Sequence, residues 1–147
     1  GHIFFKHDYY GFDDAIYASC RLVEILAKTK RSLSSLVVDL PQTTVTPEIR
    51  VDCPDTLKFQ LVDQVRTQLA AYLAEGQPVG ASNLRMRELV TIDGVRAIFE
   101  DGWGLIRASN TQPALVLRFE APSPARLDVI RATIETELAQ ARRVLST

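Results

Sequence analysis

The sequence predicts an α+β fold: a four-to-five-stranded, mainly antiparallel sheet with two helices on one face, preceded by helices from the end of an α/β domain. Three observations carry this. Leu57, Leu61, Val65, Leu69 and Tyr72 fall at helical spacing, as do Leu127, Ile130, Ile134, Leu138 and Ala141. Between those stretches lie four short apolar runs divided by turn residues. Ahead of them, another apolar stripe has almost no strand before it to cover it.

Taken in order, Ile3-Phe4-Phe5 reads as a strand end. Asp13 or Asp14 suits a helix N-cap, and the helix continues to Lys28. Ile16, Cys20, Val23 and Ala27 form its stripe, widened by Leu22, Ile25 and Leu26, and so broad a stripe calls for burial against a sheet. Ser32 to Asp39 reads as a short second helix. Pro41 and the polar Gln42-Thr43-Thr44 read as a hinge or linker. The expected division is therefore residues 1–40, the tail of one domain with its hinge, and residues 41–147, a self-contained domain.

In the second part Glu48 to Asp52 alternates as a strand does, and Pro54-Asp55 ends it and begins a helix that runs to Gly76. Four strands are expected at Glu88 to Ile92, Val95 to Phe99, Gly104 to Ala108 and Ala114 to Glu120. Asp93-Gly94 is a hairpin signal between the first two, and Asp101-Gly102 turns the chain into the third. Ser123-Pro124 is an N-cap and N1 pair for the closing helix. The order β-α-β-β-β-β-α fits an antiparallel meander with both helices on one side.

Composition narrows the function. Apolar residues make up 46% of the chain, and a net charge of −1 gives no basis for nucleic-acid or membrane-surface binding. No apolar run nears the ~20 residues that span a bilayer. Cys20 and Cys53 lack CxxC spacing, and with only His2 and His7 beside them a zinc site is not expected. Two free thiols without a signal peptide fit the cytoplasm. His7, Asp8, Asp13 and Asp14 read as helix capping and solvated surface, not as metal ligands. The chain opens on Gly1-His2 and its one methionine is Met86, as expected of a piece of a longer protein.

The turn between the last two strands is unusual. Arg107, Ser109, Asn110 and Thr111 place a guanidinium, two hydroxyls and a carboxamide within five residues. Ser and Asn are also common in turns that do nothing but reverse the chain. Yet a planar guanidinium suits phosphate or carboxylate, and hydroxyls beside it complete a donor set for an anion. Asn110 tolerates a left-handed backbone that would aim amides at such an anion. Gly102 and Gly104, flanking Trp103, would let a ligand approach the neighbouring backbone. Trp103 itself reads as core or as support for the loop, with shaping of the cleft as the alternative. Three or four charge-assisted bonds, offset by desolvation and lost ligand freedom, give only about millimolar affinity. The loop therefore makes sense as one wall of a larger cleft.

Here the residues become familiar. DGVRAIFEDGWGLIRASNTQPALVLRFEA, residues 93–121, resembles the C-terminal domain of the α-D-phosphohexomutases, the phosphomannomutase/phosphoglucomutase group. GHIFFKHDYYGFDDAIYASCRLVEIL, residues 1–26, resembles the end of that family's third domain. The resemblance implies a TATA-box-binding-protein-like C-terminal domain whose loop, Arg107, Ser109, Asn110 and Thr111, binds the non-reacting phosphate of the substrate. It implies an isomerase that interconverts hexose 1-phosphate and 6-phosphate, of mannose or glucose, through a bisphosphorylated sugar. The phosphoserine and the Mg²⁺ site would lie in N-terminal domains outside this chain, so the 147 residues alone are expected to be inactive. Gly1 and His2 match the end of the family's sugar-binding loop, and His2 matches a position implicated in substrate contact and proton transfer. Gly-His at a chain start also fits a tag remnant, but Ile3-Phe4-Phe5-Lys6 continues the family pattern. Gln112 departs from it, since the family commonly has glutamate there.

The same element order also suits a stand-alone ferredoxin-like module that binds a small ligand or RNA. An RNA-recognition sheet would show exposed aromatics and a basic surface, whereas these strands offer mainly Val, Ile and Leu. The expected partners are a phosphosugar and the remaining domains of the same protein, with no nucleic acid or membrane.

Overall fold

The computed structural model describes residues 2–146. The chain divides into two compact units, with the boundary between Pro41 and Gln42.

The first unit is built on α1 (Ala15–Thr29), followed by the single turn α2 (Leu33–Leu36). Asp14 caps α1 by accepting from the Tyr17 amide at 2.9 Å. Tyr9 and Tyr17 donors hold the Asp14 carboxylate below its ordinary pKa, the Tyr9 hydroxyl contributing most. The helix ends where Lys30 turns left-handed at φ 53° and its N–H closes on the Leu26 carbonyl. Tyr9 stacks on Tyr17 with ring centroids 3.8 Å apart, and Phe5 meets Tyr17 edge-on. The apolar stripe of α1 is nevertheless uncovered: Ile16 is 79% exposed, and no described residue of this unit is buried.

The second unit holds β1 (Thr44–Val45), β2 (Ile49–Asp52), α3 (Asp55–Glu75), β3 (Met86–Val90), β4 (Val95–Phe99), β5 (Trp103–Ala108), β6 (Ala114–Ala121) and α4 (Pro124–Leu145). All strand pairs are antiparallel. From one edge the sheet runs β3, β4, β5, β6, and then β1 and β2 end to end along β6. Six strand segments thus make five rows. The break between β1 and β2 comes at Pro47, which has no N–H to give the ladder. Thr46 bridges it. Its amide donates to the Phe119 carbonyl, and its hydroxyl accepts from the Phe119 amide at 3.1 Å. Thr44, which its polarity marked as linker, is therefore the first residue of the sheet.

Alternation along the strands decides which face is dry. Val95, Ala97, Phe99, Ile106, Leu115, Leu117 and Phe119 are buried on the face that α3 and α4 cover. Leu61, Val65 and Leu69 of α3 and Ile130, Ile134 and Leu138 of α4 fill the same core. Ser123 caps α4 by accepting from the Arg126 amide, with Pro124 in the first turn. The open face carries Arg96, Arg107 and Arg118 among Ile98, Leu105 and Val116, with Arg96 lying 4.2 Å over the Trp103 ring.

The glycines beside Trp103 serve this packing. A Cβ at Gly104 would come within 2.9 Å of Ile134, and one at Gly102 within 2.6 Å of Ile130 and 2.5 Å of the Glu120 carbonyl. They let α4 approach the sheet and do not open the backbone to a ligand. Strand β3 also sits two residues earlier than its apolar run suggested. Ile92 is 93% exposed in the turn, and the register slips between Met86 and Glu88.

Candidate functional site

The loop from Ser109 to Pro113 joins β5 to β6, and Arg107 stands one residue before the end of β5. The Ser109 amide donates to the Ala114 carbonyl at 2.9 Å and closes the loop at its base. The Ser109 hydroxyl then accepts from the amides of Gln112 at 3.2 Å and Thr111 at 3.4 Å. So Ser109 does what serine does in ordinary turns, and its own O–H remains a donor. Asn110 keeps a negative φ; among the described residues the non-glycine positions with positive φ are Asp8 and Lys30. The loop is folded around the Ser109 oxygen and not by a left-handed asparagine. Among the described residues, the Asn110 carboxamide and the Thr111 hydroxyl have no partner, and both residues are exposed.

Arg107 is held from the side. Its Nη1 lies 3.3 Å from Asp93 Oδ2, in the turn between β3 and β4. Gly94 makes that approach possible. Its φ is +79°, and a Cβ there would sit 2.7 Å from the Arg107 Cβ and 2.3 Å from the Ile106 carbonyl. One edge of the guanidinium is thereby oriented by a carboxylate, while its Nε is buried with no partner among the described residues.

The far side of the loop is anchored to the β2–α3 corner. The Cys53 amide donates to the Pro113 carbonyl at 2.9 Å, and Lys58 Nζ donates to the Gln112 carbonyl at 3.1 Å. Arg50 Nη1 donates to Gln112 Oε1. A glutamate at 112 would make that contact as an ion pair, and the carboxamide oxygen keeps the geometry without the charge.

Arg107, Ser109, Asn110 and Thr111 thus come together on one loop of the second unit. His2 belongs to the first unit, is exposed and pairs with Asp13. Asp13 and Asp14 also line an apolar groove of about 500 Å³ with Ile3, Phe5, Leu22 and Ile25. Gly1 lies outside the described residues. Asp93, Arg50 and Lys58 were not visible as site residues. Asp93 showed only as a turn former. Lys58, three residues before Leu61 and seven before Val65, carried one usable signal: a charge on the buried stripe of α3.

Residues 48–137 match the model of the phosphoglucomutase/phosphomannomutase C-terminal domain, and residues 1–44 match the alpha/beta/alpha domain III of the same enzymes. A phosphomannomutase/phosphoglucomutase of Pseudomonas putida is 46% identical over 138 residues, covering 94% of this chain and 27% of that protein. A phosphoglucomutase of Neisseria gonorrhoeae is 44% identical over 131 residues, 89% of this chain and 26% of its own length. The crystal structure of a phosphoglucomutase/phosphomannomutase family protein from Burkholderia thailandensis superposes with a TM-score of 0.75 at 39% identity, over 97% of this chain and 27% of that one. The chain spans about a quarter of the length of these relatives. Two consecutive stretches match two domains of one family in order, and the chain belongs to the phosphoglucomutase/phosphomannomutase family.

Proposed function

We propose that the loop from Arg107 to Thr111 binds the phosphate of a hexose phosphate, and that this chain is the portion of a phosphohexomutase that holds the non-reacting end of the substrate. The observation that carries the reading is the state of the four side chains. Arg107 is oriented by Asp93, and Ser109 folds the loop. Asn110 and Thr111 stand exposed with unused hydrogen-bonding groups. A charged fork beside neutral donors complements a phosphate dianion.

In the full enzyme, one phosphate would be held here while the other exchanges with a phosphoserine, and the bisphosphorylated sugar would then turn end for end. A loop that must receive either end is best built to read phosphate and not sugar. None of the loop's side chains is a nucleophile or a general base positioned on another group, so its role is to bind and orient. Among the described residues no three His, Cys, Asp or Glu side chains gather to hold a metal ion. We propose that Mg²⁺, which would stabilise charge on the transferring phosphoryl group, is held by other domains of the enzyme. His2 is proposed to contact the sugar and to move a proton, with Asp13 orienting its ring. The exposed stripe of α1 is proposed to pack against the rest of the third domain. We propose a cytoplasmic enzyme; no helix among the described residues is long and apolar enough to cross a membrane. The match of both stretches to one enzyme family favours this reading over a stand-alone module that binds a small ligand or RNA.

The test is an NMR titration of the 147-residue chain with inorganic phosphate, glucose 6-phosphate and glucose. Both phosphates should shift the amides of Ser109, Asn110 and Thr111 with about millimolar affinity, and glucose should not. Arg107→Ala should weaken both by about tenfold. Absence of shifts at tens of millimolar, or shifts confined to another surface, would overturn the reading.

A further inference from the structure

Lys58 is an anomaly in the packing. It lies in the first turn of α3, on the stripe that continues through Leu61, Val65 and Leu69, and its side chain is only 5% exposed. A methionine or leucine there would extend the apolar contact without the desolvation that a buried lysine entails. Helix packing does not account for it.

Its partners do. An ammonium has three donors. One goes to Asp55 Oδ1 at 2.6 Å and one to the Gln112 carbonyl at 3.1 Å. Asp55 is 69% exposed, so water screens that pair. The Gln112 bond is the long-range one, spanning 54 residues of sequence. The Gln112 carbonyl also accepts from the Ala114 amide at 2.8 Å, so both of its lone pairs are engaged. The next carbonyl, Pro113, is taken by the Cys53 amide. Two consecutive peptide units are thus clamped from the β2–α3 corner, immediately after the exposed Asn110 and Thr111.

We infer that Lys58 is a positioning residue for the anion loop: from α3, its buried ammonium fixes the Gln112 carbonyl and so holds Asn110 and Thr111 in the arrangement that receives phosphate. The inference rests on the phosphate reading above and names what makes the loop competent. Without the lysine, the Gln112 carbonyl still has a partner in the Ala114 amide, within a loop no longer anchored to α3, and exposed Asp55 stays hydrated. Removal therefore loosens the loop and leaves no charge buried alone.

The experiment uses the 147-residue chain with Lys58→Met, matched in length and apolar, and Lys58→Arg, which keeps a charged donor. Two quantities are read: amide exchange at Cys53, Ser109 and Ala114, whose hydrogen bonds close the loop, and affinity for inorganic phosphate by NMR. In Lys58→Met those three amides should exchange about tenfold faster with the cores of β4 and α4 unchanged, and phosphate should bind about 5–10-fold more weakly. Lys58→Arg should recover at least half of the loss. A purely structural lysine would instead lower protection throughout the unit. Loop exchange within twofold of the parent, or phosphate affinity within twofold of it, would overturn the inference. If Lys58→Met does not fold, Lys58→Gln carries the same two readouts. If the parent chain binds no phosphate, the phosphate reading fails by itself. Loop exchange in the variant then decides Lys58: faster exchange supports the positioning role and unchanged exchange overturns it.

Discussion

Phe119 and Phe12 are the same side chain in opposite settings. Phe119, on β6, is fully buried between the sheet and its helices; Phe12, ahead of α1, is 63% exposed. The contrast extends to the two units that contain them. From Gln42 onward, apolar residues of four strands and two helices close over one another. In residues 2–41 an equally apolar helix stripe meets no covering layer. Hydrophobic patterning alone is therefore no measure of a folded core; a stripe stabilises only against a second layer.

Truncation is the largest way to break the comparison. Phe119→Ala should destabilise the second unit by about 3–5 kcal/mol, whereas Phe12→Ala should stay within about 0.5 kcal/mol of the parent. Urea denaturation followed by the single tryptophan, Trp103, reads the second unit, and far-UV circular dichroism, to which α1 contributes, reads the first. Equal shifts of the two midpoints would contradict the account.

This is also where the sequence was most and least legible. Strand β4 falls where its apolar run and Asp93-Gly94 put it, both long helices follow their stripes, and α4 begins at its Ser123 cap. These signals are local. Strand β1 was unreadable, because Thr44 and Val45 gain strand character only from Ala121 and Glu120 on β6. The site divides the same way. Arg107, Ser109, Asn110 and Thr111 are contiguous and were visible as a donor set. What shapes them comes from afar, from Asp93 on another turn, Arg50 on β2 and Lys58 on α3. Two local inferences differ from the structure: the glycines beside Trp103 make room for α4, and Asn110, whose tolerance of a left-handed backbone would have aimed amides at an anion, keeps a negative φ in a loop folded around Ser109.

Gly94 sharpens the contrast by joining core to site. Gly94→Ala adds a Cβ at φ +79° that collides with the Ile106 carbonyl and the Arg107 Cβ. It should cost about 1–3 kcal/mol and also weaken phosphate binding by moving Asp93 away from Arg107. Loss of stability without loss of phosphate affinity, measured on the same sample, would show that the Asp93 contact does not orient Arg107.

Glu137 gives the smallest effect. It is buried on α4 against Gly80, its carboxylate has no hydrogen-bond partner among the described residues, and burial raises its pKa. A carboxyl whose folded pKa is raised carries no ionisation penalty below its unfolded value near ~4.3. It destabilises progressively as pH rises through the interval up to the folded value. Glu137→Gln should therefore match the parent near pH 4 and be the more stable by about 1 kcal/mol at pH 8. A pH-independent difference would rule out ionisation as the cause.

Residue-resolved amide exchange of the 147-residue chain, free and with ~20 mM glucose 6-phosphate, tests the central claim most directly, since a millimolar site is then mostly filled. The claim is that a self-supporting unit presents a phosphate-reading loop. Slow exchange is predicted in β4, β5, β6 and α4, fast exchange through residues 2–41, and ligand-induced slowing only between Arg107 and Ala114. Uniform protection of both units, or ligand-induced protection that bypasses the loop, would contradict it.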